Sequence, residues 1–539
     1  METCQTFLRI MYIDRSPFKM NQDKNMKKRL SADWLVILPA VLTAVVVHIL
    51  CIQNFGIFRD ELYYLACADH PAFGYVDQPP LSIWLLKLIT LVFGSSVAAI
   101  RILPVLASGA WIYMTGKLAR EFGGGRFAML LASVAALVTL GNMVIFHFYS
   151  MNFLDMIFWQ ILFFILIRLL KTQDTRYWLW FGLTAGLASL NKISILFFGF
   201  GLVAGLLMTK NRMHLKSGHF WAGLGIAFVI FLPYIVWNAL HDWAMLTFIH
   251  NAKTCKMASV SPAGFLIGQI LYNNPVNVLI WITGLIFLLF YRAAEKFRLF
   301  GWLFLAIYIL FTIQGAKDYY LAAAYPVLFA GGAVLWEKWL RRKAGPVIRP
   351  LLIIFLILPA VFLAPVTLPI LPVDQTIRHI QKIGIQSQAG ENHDMGILPQ
   401  HFADMHGWPE MAAVFAEVYN QLSEEERRGC VIYLRNYGEA GAIDYYGPRY
   451  GLPKASCAHN NYWLWGPPEW DGRLAIIYGW NDDVQANLND LNNRFESVVH
   501  AATFSHPYCM PYENNRPIFI CRNARFSFEE IWLHEKHFI

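Results

Sequence analysis

The stretch NFGIFRDELYYLACADHPAFGYVDQPPL, residues 54–81, decides how this chain is organised. It follows directly on an apolar run from Trp34 to Ile52, so its charged side chains lie where a first membrane span would leave the bilayer. Its ionisable side chains are Arg59, Asp60, Glu61, Asp69, His70 and Asp77. Placing ionisable groups at a membrane boundary costs free energy, so they are usually paired with one another or have a function. This cluster beside tyrosines therefore predicts a functional site. The alternative interpretation is a solvated loop.

The composition indicates a polytopic membrane protein. The chain has 539 residues, of which 57% are hydrophobic and 15% are charged. This is too apolar for a water-soluble globule and long enough for many spans. The net charge of +8 comes from Lys and Arg in short clusters between apolar runs, a pattern typical of topology signals, so we predict no nucleic-acid partner.

The hydropathy pattern predicts about eleven membrane spans. They cover residues 33–53, 98–118, 127–146, 153–170, 177–190, 193–209, 220–238, 275–291, 299–313, 321–337 and 350–370. Alternate loops carry most of the basic residues, including Lys117 to Arg126, Lys210 to Lys216 and Lys338 to Arg349, which predicts that these loops and an N-terminal segment 1–32 are cytoplasmic. The acids Asp60 and Asp155 and their basic neighbours then collect on the opposite side of a transmembrane domain 33–372.

Two short apolar segments on that outer side predict interfacial helices. Pro79 and Pro80 precede the first segment, Leu81 to Phe93, within an outer loop 54–97. Proline suits the first turn of a helix, and the segment is short for a span. Residues 262–274 are predicted to form a second such helix.

After Pro372 the composition becomes polar, which predicts an outer domain over residues 373–539. The predicted strands are Cys430 to Arg435, Leu474 to Tyr478, Phe495 to Val499 and Ile518 to Cys521, and helical spacing covers Glu410 to Leu422 and Asp483 to Asn493. Alternating strands and helices favour a small α/β domain. An exported domain permits disulfides, and Cys509 with Cys521 is the favoured pair. The aromatic residues Tyr462, Trp463, Trp465 and Trp470 form either a substrate-facing patch or part of the core.

Several motifs, taken in order, resemble one family of membrane enzymes. They are Asp60-Glu61 after the first span, Tyr63-Tyr64 behind it, the Pro-Pro-Leu helix, Asp155 opening a later span, and Lys317-Asp318-Tyr319-Tyr320 before LAAAYPVLFAGGAVL. Together they resemble the superfamily of protein O-mannosyltransferases and aminoarabinose transferases, over about residues 30 to 370. These are integral membrane glycosyltransferases of the C-type fold.

The resemblance implies transfer of a sugar from a polyprenyl-phosphate donor to a lipid, glycan or protein acceptor. It also implies a multi-pass protein of the bacterial inner membrane, with the reaction and the C-terminal domain on the periplasmic side. Asp60 matches the family's catalytic acid, Glu61 its partner, and Asp155 the acid at the outer end of the fourth span. Aminoarabinose transferases have a lysine before Pro-Pro that faces the lipid phosphate, whereas this chain has Gln78. Lys317, Lys192 and Arg59 are the candidate replacements.

The chemistry needs few parts. A carboxylate, Asp60, takes the acceptor proton or aligns the acceptor. Fixed positive charges stabilise the departing phosphate, for which we assign Lys317, Arg59 and Lys192. The remaining candidate substrate ligands are Glu61, Tyr64, Asp77, Gln78, Asp155 and Tyr320. The donor is already activated, so we expect no required cofactor and assign no metal ligand. Whether a divalent metal takes part is left open.

Each assignment has a structural alternative. Arg59 and Asp60 could form an ion pair that ends the first span, and Asp155 could bond to Asn152 or to a neighbouring helix. Lys192 could cap a helix, and Lys317 with Asp318 could form a local charge pair. Two other functions stay open: a transporter or flippase of lipid-linked glycans, and a non-catalytic protein of cell-envelope assembly. A transporter would need ionisable residues deep in several spans, whereas those of this chain gather at one side.

Overall fold

The computed structural model describes residues 33–257, 260–341, 345–384 and 394–539. The predicted cytoplasmic segment 1–32 and the basic residues Arg342 and Lys343 lie outside this range. The described part up to residue 384 is helical. Its α-helices are α1 Leu38–Cys51, α2 Arg59–Asp69, α3 Leu81–Phe93, α4 Val97–Glu121, α5 Arg126–Leu137, α6 Leu140–Ile145, α7 Met151–Thr172, α8 Tyr177–Ser189, α9 Ile195–Leu207, α10 Gly218–Leu240, α11 Ala244–Asn251, α12 Pro262–Tyr272, α13 Val278–Phe290, α14 Arg298–Gln314, α15 Pro326–Trp339, α16 Gly345–Thr367 and α17 Val373–Ile383.

Short turns of tighter or wider helix connect several of these elements. They cover Asp33–Val36, Lys210–Lys216, Pro275–Asn277, Arg292–Phe297 and Asp318–Ala324 as 3₁₀-helix, and Ala252–Lys256 as π-helix. Every one of the predicted spans contains a helix. Five helices of the described residues are long and apolar enough to cross a membrane, or up to eight if each of three bent pairs is one span. The predicted number of about eleven also includes shorter helices such as α1 and α8, and it stays a prediction.

Helices at the centre and at the periphery of this region differ in how much protein surrounds them. In α7, 61% of the apolar segment is buried inside the protein, whereas only 11% of that in α10 is buried. Helix α10 is nevertheless held closely against α8, since a Cβ added at Gly182 would lie 2.0 Å from the carbonyl oxygen of Gly223. Glycine is required there because the two backbones touch. The exposed apolar face of α10 is therefore a lipid-facing surface.

Both predicted interfacial segments form separate helices. Helix α3 covers the first of them. Helix α12 covers most of the second, and the chain turns by 102° between it and the segment Pro275–Phe290. Asn274 makes this turn with a φ of 70°.

Ion pairs connect several of the loops that are predicted, from their basic residues, to lie on the same side of the membrane. Glu121 pairs with Arg168 at 3.1 Å and with Lys171 at 2.5 Å. Lys210 pairs with Glu295 at 3.2 Å. These loops therefore meet at one end of the helix bundle, as the charge pattern predicts.

The C-terminal part is an α/β domain with one mixed sheet. Its strands are β1 Cys430–Tyr433, β2 Ala455–Ser456, β3 Leu474–Tyr478, β4 Phe495–Phe504 and β5 Arg516–Ala524, in the spatial order β2-β1-β3-β5-β4. Strands β2, β1 and β3 are parallel, and β5 is antiparallel to both β3 and β4. The helices are α18 Gln400–Ala403, α19 Trp408–Asn420, α20 Glu424–Arg428, α21 Tyr437–Tyr446, α22 Asn461–Leu464, α23 Val484–Arg494 and α24 Phe528–Ile531, with 3₁₀ turns at Gly447–Tyr450 and Pro511–Glu513. The predicted α/β class is confirmed.

The predicted disulfide between Cys509 and Cys521 is wrong, because both residues are free thiols. Along β5 the side chains alternate between the two faces of the sheet. Ile520 packs in the same apolar cluster as Cys509, whereas the adjacent Cys521 packs in a cluster on the other face. The sheet therefore separates the two sulfurs.

Candidate functional site

Helix α2 carries the candidate catalytic residue in its first turn. Phe58 precedes it in extended conformation, and the Glu61 carboxylate accepts a 2.8 Å hydrogen bond from the Phe58 N–H. This bond, which is the carboxylate half of a capping box, fixes where the helix begins. At helical spacing Asp60, Tyr63 and Tyr64 share one face of α2.

Glu61 lies at the centre of a buried ion pair. Arg101 of α4 donates to both of its carboxylate oxygens, at 2.9 and 2.6 Å, and Tyr149 N–H donates to Oε1 at 2.8 Å, in addition to the bond from Phe58. Both charged side chains are fully buried. Arg101 also donates to the carbonyls of Ile52 and Gly56, so the pair connects α1, α2 and α4. The geometry assigns Glu61 to positioning the loop, and its predicted contact with substrate stays a prediction.

Asp77 and Gln78 lie beside α2. The hydroxyl of Tyr63 donates to Asp77 Oδ1 at 3.0 Å, and Asn461 of the C-terminal domain donates to the same hydroxyl at 2.5 Å. Gln78 is fully buried, and among the described residues neither its amide nitrogen nor its amide oxygen has a hydrogen-bond partner. Buried polar atoms are normally satisfied, so this amide is available to a ligand.

A second acid–base pair lies at the start of α7. The Lys192 ammonium is 3.8 Å from Asp155 Oδ2, and it donates to the side-chain oxygen of Asn152 at 2.7 Å. Ser194 donates to Asp155 Oδ1 at 2.6 Å. Ser194 precedes α9, so Asp155 is bonded to a neighbouring helix, as one of the structural alternatives proposed. Lys192 also lies 5.5 Å from the ring centroids of Tyr319 and Tyr320, which brings the Lys317 segment to the same place.

Tyr64 connects these two groups of residues. Its hydroxyl accepts a 3.2 Å hydrogen bond from Met151 N–H, and the Met151 carbonyl accepts one from Asn191 beside Lys192. Burial, and then the charges of Asp77 and Asp60, raise the pKa of the Tyr64 hydroxyl. The hydroxyl therefore stays protonated. Asp60, Asp77, Tyr64, Asp155, Lys192 and Tyr320 thus belong to one connected region.

Arg59 is directed away from that region into the C-terminal domain. Its guanidinium donates to the Tyr512 hydroxyl at 2.9 Å and lies 4.7 Å from the ring centroid of Tyr437. Its backbone N–H donates to the Asp404 carbonyl at 2.9 Å. Arg59 therefore connects the two parts of the protein, and its predicted contact with the lipid phosphate stays a prediction.

The aromatic residues of the C-terminal domain also serve internal contacts. The indole N–H groups of Trp463 and Trp470 donate to backbone carbonyls, and the Tyr462 hydroxyl donates to Asp444. Trp465 stacks on His70 of the outer loop at 4.1 Å between ring centroids. These contacts favour the core interpretation over a substrate-facing patch.

Sequence reasoning missed Arg101 and Tyr437. Arg101 is an ionisable residue inside a predicted span, which is a sufficient signal for a buried partner such as Glu61. Tyr437 lies more than 370 residues from Asp60 in the chain, yet its hydroxyl donates to Asp60 Oδ1 at 3.1 Å. No local pattern connects two residues so far apart.

Comparisons with known proteins agree with the motifs. Residues 77–237 match the family model described as dolichyl-phosphate-mannose-protein mannosyltransferase. Over 296 residues the chain is 25% identical to the lipid A galacturonosyltransferase RgtD of Rhizobium johnstonii. The aligned residues cover 53% of this chain and 62% of that protein. The match therefore spans less than two thirds of the length of this curated relative.

Solved structures extend the likeness to nearly the whole chain. ArnT from Cupriavidus metallidurans bound to undecaprenyl phosphate is similar with a TM-score of 0.60 and 15% identity, over 91% of this chain and 98% of that one. The apo form is similar with a TM-score of 0.57 and 16% identity, over 90% and 97% of the two chains. At this identity the likeness establishes the fold. The chain therefore has the fold of ArnT, which confirms the C-type fold that the motifs predict.

Proposed function

We propose that this protein transfers a sugar from a polyprenyl-phosphate donor to a membrane glycolipid on the periplasmic side of the bacterial inner membrane. The observation that carries the proposal is a connected region. The carboxylate Asp60 shares a face of α2 with Tyr64, and hydrogen bonds through Met151 and Asn191 link Tyr64 to the segment of the buried ammonium Lys192. A glycosyl transfer from a lipid phosphate needs both groups. In this proposal the N-terminus is cytoplasmic, and domain 373–539 lies in the periplasm above the transmembrane domain 33–372.

In the proposed reaction the acceptor hydroxyl attacks the anomeric carbon of the donor sugar. Asp60 takes the hydroxyl proton as the new carbon–oxygen bond forms. The bond from the anomeric carbon to the phosphate oxygen breaks, and its electron pair leaves with the polyprenyl phosphate. Lys192, held beside Asp155, stabilises the charge on that leaving group, with Lys317 near it.

The remaining predicted ligands orient the sugar in this proposal. Gln78 is positioned by the loop that also carries Asp77, and its unpartnered amide offers one donor and one acceptor to sugar hydroxyls or phosphate oxygens. Tyr64 and Tyr320 each offer a hydroxyl to the sugar or phosphate and an aromatic ring to one face of the sugar. Arg59 and Glu61 act indirectly, since their side chains bind protein groups.

A glycolipid acceptor is favoured because the relative RgtD, which matches over half of the chain, acts by its name on lipid A. The family model is named for protein mannosylation, so a protein acceptor is the second candidate. The transporter alternative is disfavoured, because the ionisable groups of the site pair at one end of the bundle.

The test uses full-length protein in lipid nanodiscs with a panel of undecaprenyl-phosphate sugars, including galacturonosyl, aminoarabinosyl and mannosyl donors. Each donor is combined with lipid A or with a protein extract, and its consumption is followed with and without EDTA. We expect wild type to consume one donor with lipid A, insensitive to EDTA, and Asp60→Asn to be about 10²–10⁴-fold slower.

Asp69→Asn is the matched control, because Asp69 ends the same helix and makes an exposed pair with Lys87 at 3.2 Å. It should retain wild-type activity. Equal rates for wild type and Asp60→Asn would overturn the assignment of Asp60. A donor consumed only with the protein extract would replace the glycolipid by a protein acceptor.

A further inference from the structure

The contact between the C-terminal domain and helix α2 centres on Tyr437. Its hydroxyl donates to Asp60 Oδ1 at 3.1 Å. Its ring stacks on that of Tyr63 with 4.4 Å between centroids, and the Arg59 guanidinium covers it at 4.7 Å. The side chain is thus enclosed by three residues of the outer loop, and only its hydroxyl makes a directed bond to Asp60.

The fold brings α21 unusually close to α2. A Cβ added at Gly438 would lie 2.6 Å from Arg59 Cγ, and one added at Gly441 would lie 3.0 Å from the backbone of Leu62. A side chain at Gly441 would press on the backbone of α2, and one at Gly438 would displace the side chain of Arg59. The two glycines therefore permit the close contact of α21 with α2 that brings the Tyr437 hydroxyl to Asp60.

Tyr437 is also held firmly within its own domain. It begins α21 and is separated by three residues from Tyr433, the carboxyl end of the parallel strand β1. The side chain of Asn436 caps the helix by accepting from the N–H groups of Gly438 and Glu439, and it donates to Glu513 at 3.0 Å. A side chain on so rigid a support loses little entropy when it positions a partner.

We propose that Tyr437 is a positioning residue for the transfer reaction and that the C-terminal domain thereby completes the active site. The inference rests on the proposed role of Asp60. The phenol holds Oδ1, so Oδ2 is the oxygen left to meet the acceptor hydroxyl. A hydrogen bond donated to a carboxylate favours its charged form, which is the form that accepts a proton.

In the step itself Tyr437 keeps its own proton. The acceptor proton passes to Asp60 Oδ2, the acceptor oxygen bonds to the anomeric carbon, and the polyprenyl phosphate departs with the electron pair. The phenol remains bonded to Oδ1 throughout. Its loss would therefore alter the basicity and orientation of Asp60 without removing a reacting group.

The first test is the pH dependence of kcat/KM for Tyr437→Phe in nanodiscs. Loss of a hydrogen bond to a charged group should move the acidic limb of the profile upward by about 1–2 pH units, because such bonds are stronger than neutral ones. The KM for the donor should stay unchanged. 3-Fluorotyrosine at position 437 is the stronger donor and should move the same limb downward.

Tyr445→Phe is the control variant. Tyr445 lies on the same helix and also contacts the outer loop, with its hydroxyl donating to the Ser95 carbonyl at 2.8 Å, but it does not face Asp60. A purely structural role for these tyrosines would give the two Phe variants the same profile. If the acidic limb of the kcat/KM profile were at the wild-type pH in both Tyr437→Phe and the fluorinated protein, the inference would be overturned.

A second test needs no turnover, so it separates this inference from the proposed function. Thermal unfolding is measured for wild type, Asp60→Asn, Tyr437→Phe and the double variant. We expect the two substitutions to be non-additive, since they remove the same bond, and additivity would overturn the contact. Coupling without consumption of any donor would reject the proposed function and retain the contact.

Discussion

Two buried acid–base pairs of this protein are built differently. In the Glu61–Arg101 pair both side chains are fully enclosed, and the two carboxylate oxygens accept from Arg101 as well as from backbone N–H groups. In the Asp155–Lys192 pair the ammonium is 3.8 Å from the carboxylate, and the side chains retain 8% and 12% exposure.

The difference separates scaffold from site. A pair whose hydrogen-bonding capacity is used up within the protein has nothing left for a ligand, so its role is to hold α1, α2 and α4 together. A longer, partly open pair beside two tyrosines leaves hydrogen-bonding capacity for a ligand, and in the proposed function its ammonium stabilises the leaving phosphate. The comparison therefore predicts that substitutions in the first pair change folding and that substitutions in the second change catalysis.

The largest effect is expected for Arg101→Met. It leaves the Glu61 charge buried and unpaired, which should lower the free energy of unfolding by about 3–5 kcal/mol. Chemical denaturation in detergent measures the loss. Arg168→Met, which removes an arginine with 53% exposure from its pair with Glu121, should change stability far less. If both variants lost the same free energy of unfolding, the distinction between a structural pair and other ion pairs would be wrong.

Lys192→Gln should act on the reaction instead. Removing a positive group that stabilises the leaving phosphate should lower kcat by about 10²–10³-fold, while thermal unfolding changes little. Steady-state kinetics with the donor identified for wild type measures the effect. An unfolding temperature lowered as much as that of Arg101→Met, with kcat unchanged, would assign Lys192 to the scaffold.

A smaller effect is expected in the C-terminal domain from Glu513→Gln. Burial and then the neighbouring Glu439 carboxylate raise the pKa of Glu513 well above its usual value. Although burial opposes it, Arg435 lowers the pKa of Glu439, so the two acids share one negative charge. Glu513 therefore stays protonated in the folded state above about pH 4.3, where an unfolded glutamate loses its proton.

The folded state thus binds more protons than the unfolded one, and stability falls as pH rises through this range. Glutamine carries no charge at any pH and should remove that loss. We expect the unfolding temperature of Glu513→Gln, relative to wild type, to rise between about pH 5 and pH 8. The exposed control Glu529→Gln should show no such trend, and a trend of the same size there would reject the assignment.

The smallest effect is expected at the opposite end of the bundle. Lys210 is 93% exposed in its pair with Glu295, and exposed pairs contribute about 0–1 kcal/mol. Lys210→Ala should therefore leave both unfolding and transfer rates near those of wild type. A clear loss of stability would show that this end of the bundle depends on its ion pairs more than their exposure implies.

Much of the fold was predictable because its signals are local. Apolar runs, the prolines before α3, and alternating strands and helices after Pro372 each depend on neighbouring residues. Each predicted span contains a helix, and both predicted interfacial segments and the α/β domain formed. The short strand β2 carries too weak a pattern, and the disulfide failed because spacing along the chain says nothing about which face of a sheet a cysteine occupies.

The sequence by itself determined the helical class of the first part and the α/β class of the second. It also predicted one region for Asp60, Asp77 and Asp155, and it has Gln78 where the aminoarabinose transferases that it resembles have a lysine. Only the tertiary structure decided which charged and polar side chains are already paired with other groups of the protein. It placed Arg101 on Glu61, turned Arg59 toward Tyr512, and brought Tyr437 to Asp60. The physical reason is that hydropathy and motif spacing are read along the chain, whereas pairing of buried polar groups depends on contacts between segments hundreds of residues apart.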